Sequence, residues 1–212
     1  MKLAPFFHNY ELLVDKAEAA FHNVKEKYGD CVKCELHCSD CCNAVFGVFL
    51  VEALYIRSHF EQIKDNQKLE ALERAKLADK AIEDLQKKLK TFEGDPQMQT
   101  YTLARERIRC PLLDDNDECV LYHKRPVTCR VYGIPAKIHG KTRACGKAKF
   151  KNGETYPILD LDSVYRDMYI LSRDILEEAK VQSKDEDKAS LLISISKVIQ
   201  TPVNDLIEKD FQ

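Results

Sequence analysis

The chain has 212 residues, 44% of them hydrophobic, which is enough for a core of its own and too apolar for a disordered polymer. Its 33 Lys and Arg against 35 Asp and Glu leave a net charge of −2, so no global attraction to nucleic acid or to an anionic membrane surface is expected. Seven scattered glycines supply neither a dinucleotide fingerprint nor a Walker A loop, and neither a Gly-x-Ser-x-Gly elbow nor a His-Glu-x-x-His helix is present.

At the N-terminus no apolar run is long enough for a signal segment, and no later stretch approaches a membrane span. The sequence reads as cytoplasmic, a compartment where thiols stay reduced. Tyr10, Leu13, Ala17, Phe21, Val24 and Tyr28 recur at three- and four-residue steps and predict a helix over residues 9–28, with Gly29 as its stop.

Five of the nine cysteines follow at once, in Cys31-Val-Lys-Cys34-Glu-Leu-His-Cys38-Ser-Asp-Cys41-Cys42. Clustered thiols in a reducing compartment point to metal or redox chemistry ahead of disulfides, and an odd number leaves one without a partner. The apolar run 45–50 then predicts a short extended piece feeding a buried helix over 51–60. Residues 67–90 place Leu72, Ala75, Ala78, Ile82, Leu85 and Leu89 on a narrow stripe, which predicts a long amphipathic helix. That helix either packs on its own domain or serves as an arm for a protein partner. Gly94-Asp95-Pro96 is read as its end.

Cys110, Cys119, Cys129 and Cys145 occupy a second stretch on the far side of this helix. Leu112-Leu113 and Val120-Leu121-Tyr122 flank an Asp/Asn-rich turn, which suggests a hairpin bringing Cys110 and Cys119 together. The turn lacks the glycine and terminal glutamate of a calcium loop and is read as solvated. Residues 137–151 form the one basic patch, with Lys137, Lys141, Arg143, Lys147, Lys149 and Lys151, but without stacking aromatics; a nucleic-acid partner is not expected. Beyond it, Leu161, Val164, Met168, Leu171 and Ile175 predict a helix capped by Asp160 or Asp162. After a charged turn over 183–188, Leu191, Leu192, Ile195, Val198 and Ile199 predict another, ended with the help of Pro202.

Cys34-x-x-x-Cys38-x-x-Cys41-Cys42, followed by Cys110-Pro-Leu-Leu, Cys119-x-x-Tyr122, Arg125-Pro126-x-x-Cys129-Arg130 and Cys145, resembles the YkgJ-like cysteine-cluster family, whose members are described as candidate zinc or iron chelators. The resemblance implies that Cys34, Cys38, Cys41, Cys42, Cys110, Cys119, Cys129 and Cys145 are metal ligands, with Cys31 an extra. Some relatives of such clusters are flagellin lysine methylases, but no S-adenosylmethionine loop is recognisable here.

Eight thiolates suit two four-thiolate centres or one polynuclear centre. Adjacent side chains diverge by about 100° on a helix or about 180° on a strand, so Cys41 and Cys42 are expected to serve different metals. A Cys-Pro dipeptide and irregular gaps favour an iron–sulfur cluster, 4Fe–4S first, over zinc. The thiolates' negative charge gives Arg109, Arg125 and Arg130 a role as supporting cations, and Arg105 and Arg107 alternate ahead of Cys110. His37 could replace a thiolate or cap a turn.

The expected fold is mainly α (α+β): a helical scaffold with a small irregular cysteine-rich lobe that holds the hairpin. The expected organisation is one domain over 1–212, with the metal lobe at 31–60 and 97–150, a helical insertion at 61–96 and C-terminal helices at 155–212. The expected function is metal binding, by an iron–sulfur cluster before zinc. A metal-dependent enzyme, either a protein-modifying methylase or an oxidoreductase, and a structural zinc module that binds a partner are the alternatives.

Overall fold

A computed structural model describes residues 2–35, 37–181 and 188–208. The charged turn expected at 183–188 therefore lies, but for Lys188, outside the described residues. Among those described there are eight α-helices and a small sheet, the mainly helical fold that the sequence predicts.

Helix α1 (Ala4–Lys27) starts earlier than its apolar spacing suggests, because Pro5 sits in the first turn, where a missing N–H costs nothing. It buries Tyr10, Leu13, Val14, Ala17 and Val24. Lys25 and Lys27 stand in its last turn, where cations complement the helix dipole.

At the centre is α2 (Leu50–Phe60), buried continuously from Leu50 to Ile56 and packed by α1, α6 (Leu161–Glu178), α7 (Ile195–Gln200) and α8 (Val203–Glu208). A helix apolar on all sides must be covered on all sides. Glu52 is the exception within it. Its carboxylate accepts the Tyr10 hydroxyl at 3.0 Å and the Val127 N–H at 2.9 Å. Burial pushes its carboxyl up while those donors pull the other way, and burial wins.

The long helix α3 (Asp65–Lys90) buries Ala71, Ala75, Ala78 and Leu85 and lays this stripe on α7. The narrow apolar face is thus satisfied within the chain. Gly94-Asp95-Pro96 ends α3 but also opens α4 (Pro96–Arg105), which the sequence reading did not foresee. Asp95 is its N-cap, accepting the N–H groups of Gln97 and Met98, and Pro96 takes a first-turn position.

Of the two candidate caps of α6, Asp160 does the capping and accepts the Ser163 N–H. Asp162 instead accepts the N–H groups of His139 and Gly140, at 2.7 and 3.0 Å, and ties a hairpin to the helix. That hairpin is β1 (Ala136–Ile138) against β2 (Lys141–Arg143), with β3 (Leu159–Asp160) parallel to β1 on its other side. His139 and Gly140 both have positive φ, the twist of a two-residue turn between right-twisted strands.

The helix expected from Leu191 begins only at Ile195, capped by Ser194. Ile193 is extended and exchanges both backbone hydrogen bonds with Val48 at 2.9 Å, while Leu192 crosses over Gly47. A Cβ at Gly47 would stand 2.7 Å from the Leu192 Cβ, so this crossing requires glycine. Pro202 then separates α7 from α8, as its missing N–H dictates. One hydrophobic cluster runs through the molecule, from Tyr10 of α1 to Ile207 of α8.

Candidate metal centre

Backbone pairing joins the two cysteine stretches. Ala44 bridges Arg107 in antiparallel fashion, the Ile108 N–H donates to the Asn43 carbonyl at 3.1 Å, and the Cys110 N–H donates to the Cys42 carbonyl at 2.6 Å. Residues more than sixty positions apart are thereby held in strand register, with Cys41 and Cys42 on a single 3₁₀ turn (Cys41–Asn43) at its edge.

The expected hairpin between Cys110 and Cys119 is present as one bridge, Leu113 to Cys119. The Asp114 N–H donates to the Glu118 carbonyl and the Val120 N–H to the Leu112 carbonyl. Asp114 Oδ1 accepts the N–H groups of Asn116 and Glu118, so the acidic turn is built by its own side chain. Cys129 arrives on α5 (Val127–Val131), a short helix packed on α1. Glu52 holds the Val127 N–H at its first turn, so the buried carboxylate of α2 anchors the helix that carries this thiol.

All nine cysteines are free thiols. The neighbouring thiols of Cys129 and Cys42, with help from Arg125, draw the Cys41 thiol below its ordinary value. Cys42 and Cys129 are pushed up in turn, first by Cys41 and then by burial. Cys41 and Cys42 share one turn and both border the cavity described below.

Burial raises Cys110 to about 12 and Cys119 to about 11. Cys34 is raised to about 11 by burial and then by Cys38, Cys145 and Cys41. Cys145 is raised by burial and donates to Asp40 Oδ2 at 3.2 Å. A cavity of about 180 Å³ opens on Cys38, Cys41, Cys42, Cys119 and Cys129, with Tyr122, Arg125, His37 and Glu118 also on its wall. Among the described residues no three His, Cys, Asp or Glu side chains are already arranged around one ion, so loading a metal requires the sulfurs to close in. Their chemistry suits a thiophilic metal: soft sulfur donors, half-buried and not joined in disulfides.

The arginines divide. Arg125 lies over the Tyr122 ring at 4.0 Å, donates to the Tyr122 carbonyl, and is the cation that the thiols of Cys41 and Cys119 feel. Arg130 is buried, and its donors go to Glu18 and to the carbonyls of His123 and Arg125, so it shapes the loop that presents Arg125. Arg109 grips the acidic turn through the carbonyls of Leu113 and Asp114 and the Asp115 carboxylate. Arg107 pairs with Asp40 at 2.6 Å, and Arg105 bonds the Tyr101 hydroxyl.

His37 has positive φ, and its Nδ1 lies 3.2 Å from the Asn116 carbonyl oxygen, which brings the first cysteine loop onto the acidic turn. Cys31 stands apart. Its carbonyl accepts the Lys149 N–H, and it is not among the residues that line the cavity. In the basic patch, Lys137 pairs with Asp160 and Lys151 with Glu154.

Two residues at the site escaped the sequence reading. Asp40 was passed over because an acid beside a cysteine run carries no signal of its own. Gly133 ends the Cys129-Arg-Val-Tyr motif without positive φ, and a glycine with ordinary φ marks a close approach whose partner only a structure names.

A helical scaffold that gathers free thiols from two remote stretches beside one cavity defines a cysteine-cluster protein. Residues 30–146, more than half of the chain, match the family model CxxCxxCC, titled "Putative zinc- or iron-chelating domain", and the chain belongs to that family. The family supports metal binding as the general chemistry of this protein. Searches of curated proteins and of solved structures return no match. No helix among the described residues is long and apolar enough to cross a membrane.

Proposed function

We propose that the protein binds an iron–sulfur cluster, 4Fe–4S before zinc, through Cys34, Cys38, Cys41, Cys42, Cys110, Cys119, Cys129 and Cys145. The observation that carries this reading is the cavity of about 180 Å³ bordered by five of these cysteines. A single zinc ion takes less room than one water, whose share of liquid volume is about 30 Å³, so an ion by itself leaves most of this space unfilled. A polynuclear centre of iron and sulfide fills it and needs sulfurs arranged around a volume instead of a point. Arg125 supplies the cation that offsets thiolate charge from the cavity wall.

In this reading the chain is one domain, with residues 31–60 and 97–150 as the metal lobe, 61–96 as an inserted helix and 155–212 as the C-terminal scaffold. The single hydrophobic cluster running from Tyr10 to Ile207 supports it. A second reading, a zinc enzyme, draws on the same cavity: with one small ion in place, the remaining space beside Tyr122, Arg125 and His37 is free for a substrate. The two readings exclude each other because the cluster and the substrate claim one volume.

Purification without oxygen, with iron, sulfide and zinc measured per chain and the visible spectrum recorded, decides between them. Matching iron and sulfide with broad visible absorption is the expected result. Colourless protein with stoichiometric zinc overturns the cluster and favours the enzyme or the structural zinc module.

A further inference from the structure

The sheet runs in the order β2-β1-β3, so among the described residues β2 pairs with β1 on one side and with nothing on the other. The two-residue turn at His139 and Gly140 makes Ile138 and Lys141 a hydrogen-bonded pair, and by alternation Thr142, opposite Lys137, is not in one. The N–H and carbonyl of Thr142 therefore point away from β1, and neither finds a backbone partner among the described residues. All three residues of β2 are exposed.

Alternation also puts the Lys141 and Arg143 side chains on one face of the strand, about 7 Å apart. Both line a cavity of about 400 Å³ whose remaining lining comes from α4, chiefly Gln97, Thr100, Tyr101 and Ala104. Because α4 buries only Thr102 and leaves Tyr101 exposed, helix and strand bound a space that the chain itself does not fill. The charge on its walls has one sign. Elsewhere in the basic patch Lys137 pairs with Asp160 and Lys151 with Glu154, whereas Lys141 and Arg143 have no carboxylate at ion-pair distance among the described residues.

We propose that β2 and this cavity dock an acidic polypeptide segment of a partner protein. The segment adds to the free edge as an antiparallel strand. One of its residues exchanges both backbone hydrogen bonds with Thr142, and the residues on either side of it set carboxylates against Lys141 and Arg143. Positive side chains on an edge strand deter most strands; here they select one whose facing residues are acidic. A nucleic acid fits less well, because the one aromatic ring of the cavity, Tyr101, has Arg105 over it at 5.1 Å and offers a base no open face. The surface is the same whether the thiols take a cluster or zinc, since no cysteine lines this cavity.

The probe is the peptide Ser-Thr-Glu-Val-Glu-Thr-Ser with blocked ends, titrated into the full ¹⁵N-labelled chain as purified with its metal and followed by amide chemical shifts. Saturable shifts at residues 141–143 are the expected result. N-methylation of the central Val removes the N–H that faces Thr142 and should weaken binding at least about tenfold, and replacing both Glu by Lys should do the same. Lys141→Glu combined with Arg143→Glu, its fold checked by circular dichroism, is expected to reverse the preference and take the Lys peptide over the Glu peptide.

No saturable shift at 141–143 overturns the docking site, and an N-methylated peptide that binds as well as its parent overturns strand addition. Equal binding of the Glu and Lys peptides overturns the charge selection. These comparisons need only the wild-type chain, so they decide the matter even where the double variant fails to fold. A thymidine oligonucleotide that moves the same amides at lower concentration than the peptide overturns the choice of a polypeptide partner.

Discussion

The sulfur of Cys34 rests in the place that a side chain at Gly133 would need: a Cβ built on Gly133 stands 2.1 Å from Cys34 Sγ and 3.4 Å from its Cβ. The φ angle of Gly133 is not positive, so sulfur, and not the backbone, demands glycine here. Gly133→Ala is expected to destabilise the protein by about 1–3 kcal/mol through overpacking and to displace Cys34. Cys34→Ala removes the obstructing atom. In that background Gly133→Ala should cost far less, and the double-mutant cycle by urea unfolding reads the coupling directly. Additive effects would contradict the contact.

Position relative to the cavity sets the expected order of cysteine substitutions. Cys129→Ser removes a thiol that borders the cavity and should lower bound metal at least about tenfold in affinity, whereas Cys31→Ser should leave metal content unchanged. Metal per chain after anaerobic purification, compared across the two variants, checks this; equal losses would place Cys31 in the centre.

The raised thiols make the metal-free protein sensitive to alkali. Cys34 and Cys119 rise to about 11 and Cys110 to about 12 from an ordinary value of 9.0, chiefly by burial. A folded-state value above the unfolded one means that the native chain holds its protons more tightly. Their contribution to stability is complete below pH 9.0 and is lost as pH climbs through 11 to 12. Denaturant midpoints of the metal-free chain should therefore fall over that window. Metal uptake should release protons, and its affinity should strengthen with pH. A titration recorded in two buffers of different ionisation enthalpy measures the protons released.

Arg74 of α3 donates from Nε to the Pro111 carbonyl at 2.9 Å, next to Cys110, and its Nη2 is buried without a partner among the described residues. Loss of this charged donor should cost about 1.5–3 kcal/mol and loosen the loop that carries Cys110. Arg74→Ala is accordingly expected to lower both the denaturant midpoint and metal retention during dialysis. Hydrogen exchange at 110–113 should rise; an unchanged rate there would show α3 to be independent of the metal lobe.

Helices with a full apolar face were legible before any coordinates, because spacing alone names the buried side: Tyr10, Leu13, Ala17 and Val24 in α1, and Leu161, Val164, Met168 and Ile175 in α6. Short elements were not. A Gly-Asp-Pro run reads equally as a stop or as a cap, and here Asp95 and Pro96 do the second task as Gly94 completes the first. Leu191 and Leu192 fit a helical pattern, yet Ile193 finds a better backbone partner in Val48, an option invisible without knowing what lies opposite. Hairpin chemistry at 110–121 was readable from its turn residues, whereas His139-Gly140 gave too little flanking apolar signal to announce β1 and β2.

The sequence by itself determined the thiol inventory and the helical scaffold, since these follow from residue type and from periods of three and four residues. Only the tertiary structure decided which thiols meet. The meeting of the two cysteine stretches depends on the strand register of Cys42 against Cys110 and on the placing of Cys129 by Glu52 and α5. The seat of Cys34 on Gly133 and the reach of Asp40 to Cys145 arise in the same way, from contacts between residues about a hundred positions apart. Such contacts are selected by the packing of whole elements, and no local pattern encodes them.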